Sequence, residues 1–265
     1  MVYEPVTYNP NQEHENLQSS APPQDDVHYA EQGNKEGLSF DNRSIRQGFV
    51  RKVFCWVTIM MLITAAMSAF PFLHRPTLGF VQNNSWTVWI GYAVFLISYM
   101  TLACSEGLRR SYPKNVILLG IFTIATGYMS AVVCAQYTAE SVVLSLIVTT
   151  VVCALIIVFA MQTKYDLTSC MGYMFIFLMV IFVTAILLLI CHLTRFYAVI
   201  PWLSFVYTLL ITLFFVMYLA MDIQMLMGGK KIELSPEEHV MAAIQIYLDV
   251  LNLFWLILSL LGKKN

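Results

Sequence analysis

The sequence predicts an all-α polytopic membrane protein, a seven-transmembrane-helix bundle with its last helix at the centre. Three observations predict it. Hydrophobic residues make up 58% of the 265 and charged residues only 12%, against about 45–50% and about 25% in soluble domains. The charges avoid long stretches: Arg75 alone falls between Val53 and Ala103, Glu140 alone between Val116 and Met161, and Arg195 alone between Leu167 and Met221. A charge at the centre of a membrane helix costs about 2.5–3.5 kcal/mol, so lipid selects stretches this clean and a soluble core does not need them. The third observation is a polar stripe on the final apolar stretch, which belongs inside a bundle rather than against lipid.

Residues 1–47 stand apart from the rest. They hold Pro5, Pro10, Pro22 and Pro23, many Asn and Gln, and eight acidic against three basic side chains. A segment so poor in aliphatic residues cannot bury enough surface to offset its ordering entropy, and is expected to be a disordered tail ahead of a membrane domain over 48–265. No apolar h-region follows Met1, so the first span is expected to act as an uncleaved anchor.

About 20 apolar residues cross the hydrocarbon, and seven segments meet that length: Val53–Leu73, Trp86–Cys104, Asn115–Tyr137, Ser141–Met161, Met171–Leu193, Trp202–Met221 and Val240–Leu261. Thr138–Glu140 leaves room only for a tight reversal between the third and fourth. With the tail inside, ten Lys and Arg near span ends fall on its side (Arg43, Arg46, Arg51, Lys52, Arg109, Arg110, Lys114, Lys164, Lys230 and Lys231) and four on the other (Arg75, Arg195, Lys263 and Lys264). The positive-inside rule therefore puts the tail in the cytosol. Lys263 and Lys264 are discordant, and would join the majority if the last span were re-entrant.

Net charge is −1, which excludes a bulk basic field for nucleic acid. Cys55, Cys104, Cys134, Cys153, Cys170 and Cys191 occur singly and read as small packing residues. No H-E-x-x-H, G-x-S-x-G or P-loop is present, so neither an enzyme nor a resident cofactor is expected.

Two carboxylates stand out by position. Asp249 lies near the middle of the last span, with Gln245 at i−4 and Asn252 at i+3 on the same face and Ser259 further along. Asp222 ends the sixth span, where apolar character resumes through Met225–Met227. If the helix continues to Met227, Asp222 sits about 7–8 Å inside its end, and the two carboxyls are able to meet on facing helices. Gly228 and Gly229 stop one helix and Ser235–Pro236–Glu237–Glu238 has the capping-box spacing that starts the next. Carboxyls brought together at low dielectric cannot both ionise cheaply and share a proton. Asp222 alone at a helix end would otherwise be solvated, and Asp249 alone would be a structural polar contact. Arg109 and Arg110 read as a solvated positive-inside cluster, or as counter-ions reaching toward the pair, with Glu106 as a local alternative partner.

The ordered motifs are similar to those of the Lifeguard branch of the Bax inhibitor-1 (transmembrane BAX inhibitor motif) family. They are Ser44–Arg46 with Phe49–Phe54, Leu108–Asn115, Gln162–Thr168, and Leu234–Glu238 running to Tyr247–Asp249, and the likeness covers about residues 44–265. The resemblance implies a seven-helix fold in endoplasmic reticulum, Golgi or related endomembranes that lets Ca²⁺ leak down its gradient and restrains cell death. It also implies a di-aspartyl pH sensor at Asp222 and Asp249, both candidates for transient Ca²⁺ contact, and an arginine latch assignable to Arg109 or Arg110. Met221 and Ile223 depart from the family's usual Tyr and Thr. The lipid bilayer, Ca²⁺ as permeant ion and apoptosis-regulating membrane proteins are the partners expected. A non-conducting membrane interaction protein and a proton-coupled transporter are the alternatives; a G-protein-coupled receptor is disfavoured by the absent D-R-Y and N-P-x-x-Y signatures and by orientation.

Overall fold

The computed structural model describes residues 24–194 and 200–264, with side chains from residue 44 onward except at 85 and 236. Two compact units divide the chain at residues 47 and 48. The first helix, α1 (Gln24–Leu73), reaches back into the segment expected to be a disordered tail. The physical reason lies in the sequence: no proline interrupts the chain between Pro23 and Pro71, and Asp25 and Asp26 follow the start, where acidic residues complement the helix dipole. Residues 1–23, which carry the other prolines, lie outside the described residues.

Between the first two expected spans the structure inserts a short helix, α2 (Arg75–Asn83), with proline in its first turn. The turn Ser85–Thr87 then leads into α3 (Val88–Cys104), and α2 and α3 meet at 84°. At 17 residues α3 is about 25 Å long, the lower limit for a span. Gln82 on α2 donates to the Ala135 carbonyl at 2.8 Å, and Val81 packs with Val132 and Ala135.

The remaining helices are α4 (Glu106–Arg110), α5 (Lys114–Cys134), α6 (Ala139–Gln162), α7 (Met171–Leu193), α8 (Ile200–Met227) and α9 (His239–Leu261). Among the described residues six helices are long and apolar enough to cross a membrane, and α2 with α3 makes a seventh if the bent pair is one span. The tight reversal before α6 is present, with Thr138 as its N-cap. Helix α8 runs beyond the expected end at Met221 through to Met227, where Gly228 and Gly229 stop it at φ +74° and +76°, a region open to glycine at little cost.

Half of the apolar window of α9 is buried, and the same share of α5; on α7 it is 11%. The last helix is therefore central as expected, and α5 shares the centre with it. Tyr247 of α9 is fully buried, and its hydroxyl joins Thr64 of α1 and Thr126 of α5, each at 2.7 Å. Ser130 of α5 takes hydrogen bonds from Ser68 of α1 at 3.0 Å and from Trp255 of α9 at 3.3 Å. These shared hydroxyls satisfy each other in a core that offers them no water. Most of the large apolar side chains of α6 and α7 are turned outward, Val142, Ile156, Met174 and Ile181 being buried, as a lipid-facing surface requires.

Helix α9 crosses the whole bundle. Its C-terminal end meets the α5–α6 turn, where Thr138 N donates to the Lys263 carbonyl at 3.0 Å and Lys263 N donates to Ser141 Oγ at 2.9 Å. Its start lies at the opposite end, against Arg109 and Arg110. Lys263 and Lys264 thus lie at the end of the bundle opposite Arg109 and Arg110, with α9 one continuous helix between the two ends. Gly262 permits this docking, because a Cβ there would stand 2.6 Å from the Tyr137 ring and 2.3 Å from the Leu258 carbonyl.

Candidate functional site

Helices α8 and α9 are paired antiparallel, and their facing sides carry the two carboxylates. Asp222 is 1% exposed and Asp249 is 4% exposed. Their carboxyls are neighbours, each within the electrostatic reach of the other. Both Asp222 oxygens and Asp249 Oδ2 are buried without a donor. Ionised carboxyls offer only acceptors, so the two can hydrogen-bond to each other only when one of them is protonated.

The expected stripe on α9 is only partly enclosed. Gln245 and Asn252 are half-buried and Ser259 is exposed. Gln245 Oε1 is a further buried acceptor without a donor. Two neighbours were not anticipated. Tyr218, four residues before Asp222 on α8, lies near both carboxyls, and Cys153 on α6 lies near Asp249. The i, i+4 spacing of Tyr218 and Asp222 was readable; the approach of α6 was not.

Arg109 and Arg110 do not serve the carboxylate pair. Arg109 donates to Glu238 Oε1 at 3.1 Å and to the Leu102 and Ala103 carbonyls at 3.2 and 2.9 Å, so it closes the C-terminus of α3. Arg110 meets Glu237 at 3.0 Å. Glu238 precedes Asp249 by eleven residues, about 16 Å along the helix, which is why neither arginine serves as its counter-ion. Glu106 holds neither of them.

The same glutamates correct the expected capping box. Ser235 makes no side-chain cap bond, and a 3₁₀ turn, Pro236–Glu238, precedes α9. Glu237 and Glu238 are turned outward to the arginines, and only the Glu238 N–H to Ser235 carbonyl bond of 3.0 Å remains of the cap. A charge-assisted bond to a guanidinium outweighs a neutral cap.

A second constellation was missed entirely. Gln224, 1% exposed, receives the Leu167 N–H at 2.8 Å and donates to the Tyr165 carbonyl at 3.0 Å. It thereby pins the α6–α7 connection to α8, two residues from Asp222. Asp166 accepts from Thr168 N at 3.0 Å, from the Thr168 hydroxyl at 2.5 Å and from Lys231 N at 3.1 Å. The Thr168 hydroxyl leads the causes that hold the Asp166 carboxyl down at about 2. The α8–α9 connection is thus tied to the α6–α7 connection at the arginine end of the bundle. A buried Gln just after Asp222 was the available signal; its partner lay 57 residues away.

Among the described residues no group of three or more His, Cys, Asp or Glu is arranged to hold a metal ion. Any Ca²⁺ contact at Asp222 and Asp249 would rest on two carboxylates, short of the 6–8 oxygens of a resident site.

The family model described as "Inhibitor of apoptosis-promoting Bax1" matches residues 46–265. Protein lifeguard 3 of Mus musculus is 37% identical over 226 residues, covering 85% of this chain and 72% of its own, and protein lifeguard 3 of Homo sapiens is 35% identical over the same shares. Bax inhibitor 1 of Schizosaccharomyces pombe is 26% identical over 220 residues, covering 83% of this chain and 78% of its own. The four ordered motifs, the central last helix and these matches converge: the chain belongs to the Bax inhibitor-1 family, on its Lifeguard side.

Proposed function

We propose that the chain is a pH-sensitive Ca²⁺ leak path of endomembranes that restrains apoptosis by modulating stored Ca²⁺. The observation that carries the reading is the Asp222–Asp249 pair, buried on facing helices with three acceptor oxygens lacking donors. Two carboxyls in such a site share one proton, because a second negative charge is costly there. Protonated, they bond to each other and hold α8 against α9. Deprotonated, they repel and turn anionic oxygens toward a hard cation. The apoptotic side of the reading rests on the names of the family and its relatives.

The test is reconstitution of the full chain in Ca²⁺-loaded vesicles. Ca²⁺ efflux above that of protein-free vesicles, lost in Asp249→Asn, is expected. Efflux equal to the protein-free control would overturn conduction and leave the partner-binding reading; flux against an imposed Ca²⁺ gradient driven by protons would favour a transporter.

A further inference from the structure

A cavity of about 320 Å³ opens at the arginine end of the bundle between α1, α5 and α9. Its lining divides by chemistry. Lys52, Arg110 and His239 supply cationic or N–H groups, and Trp56, Leu119 and Val240 supply an apolar floor. Each polar member stands at a span boundary. Lys52 precedes the apolar run of α1, Arg110 ends α4 just ahead of α5, and His239 is the first residue of α9. Tyr112, 83% exposed, stands beside them. With Trp56 it forms the amphipathic aromatic pair that membranes favour at the headgroup level.

Lys52 has no carboxylate within ion-pair distance among the described residues. Arg110 is paired only with the exposed Glu237 at 3.0 Å and, at 3.9 Å, with Glu238. An exposed pair of this kind is weakly held and yields to a stronger acceptor. The cavity therefore presents an unneutralised ammonium and an exchangeable guanidinium above an apolar floor that continues into the bundle.

We propose that this cavity binds the phosphate-bearing headgroup of an anionic phospholipid from the leaflet on the arginine side. Lys52, Arg110 and His239 would take the phosphate oxygens, and Trp56 with Leu119 would take the upper glycerol and acyl atoms. Basic pockets between membrane helices select anionic headgroups in this way. A free phosphate shares the charge chemistry but has no use for the apolar floor, so the lipid is the source the lining fits. The cavity reaches α1, α5 and α9 together, so an occupant braces the helix that carries Asp249. The inference does not rest on Ca²⁺ conduction.

The test is native mass spectrometry of the full chain in detergent, with added phosphatidylserine, phosphatidylinositol 4-phosphate, phosphatidylcholine or inorganic phosphate. Wild type should retain one anionic phospholipid in preference to phosphatidylcholine. Lys52→Ala and Arg110→Ala should each weaken retention about fivefold, the factor one surface cation contributes, and Lys52→Arg should restore it. Both substituted residues are exposed, and an unchanged melting temperature establishes that the variants fold. Equal retention of phosphatidylcholine, retention unaffected by the substitutions, or displacement of the lipid by millimolar inorganic phosphate would each overturn the proposal.

Discussion

Arg109 and Glu238 meet at 3.1 Å with side chains 10% and 27% exposed, joining the end of α3 to the start of the central helix. Because Arg109 is buried and also closes two α3 carbonyls, its loss leaves two acceptors without their donor and Glu238 with only the 3.9 Å approach of Arg110. Breaking a buried pair costs about 3–5 kcal/mol; the partial exposure of Glu238 brings Arg109→Ala to about 2–3 kcal/mol. Arg110→Ala, with its half-exposed side chain, should cost less than about 0.5 kcal/mol. Thermal unfolding in detergent compares the two, and a double cycle with Glu238→Ala isolates the coupling.

The Tyr247 hydroxyl bridges α1 and α5 through Thr64 and Thr126. Thr126 keeps bonds to the Phe122 and Thr123 carbonyls when the bridge is removed, whereas Thr64 loses the side-chain partner it has here. Tyr247→Phe should therefore cost about 1–2 kcal/mol. Adding Thr64→Val should recover part of it, since the orphaned hydroxyl is then gone. The melting temperatures of the single and double variants decide this.

The crossing of α9 places residues 230 and 264 at opposite ends of the bundle. In sealed vesicles of a cysteine-free background, Lys230→Cys and Lys264→Cys should react with a membrane-impermeant maleimide from opposite sides. Gly262→Ala should loosen the C-terminal docking by about 1–3 kcal/mol, because its Cβ has no room against Tyr137 and the Leu258 carbonyl.

Asp166 supplies a pH control outside the membrane. Its carboxyl is held at about 2, below its unfolded value near 3.9. A depressed pKa contributes stability above the unfolded value and loses it as pH falls through about 2. The loop clamp is therefore intact across the whole range above about pH 4. Asp166→Asn should leave the midpoint of any flux transition between about pH 5 and pH 8 unmoved, which flux measured across that range checks.

The spans were legible because lipid tolerates so few charges that their absence alone marks a helix. Asp249 was legible for the same reason, as an expensive group in the middle of such a stretch. Asp222 needed the observation that apolar character resumes at Met225. The partners of Arg109, Gln224 and Asp166 were not legible, since each contact spans a reversal of the chain and depends on which connections share an end of the bundle. The Ser235 motif misled for a related reason: local spacing described a cap, but two arginines 125 or more residues earlier in the sequence compete for its glutamates.

The most direct test of the central claim is Ca²⁺ efflux from vesicles containing wild type, Asp222→Asn or Asp249→Asn, measured from about pH 5 to about pH 8. Wild-type efflux should rise with pH by about tenfold across two pH units, the swing of one titrating proton. Either asparagine supplies a permanent donor to the remaining carboxyl and should hold efflux low and flat. The same pH profile in all three proteins would contradict the account.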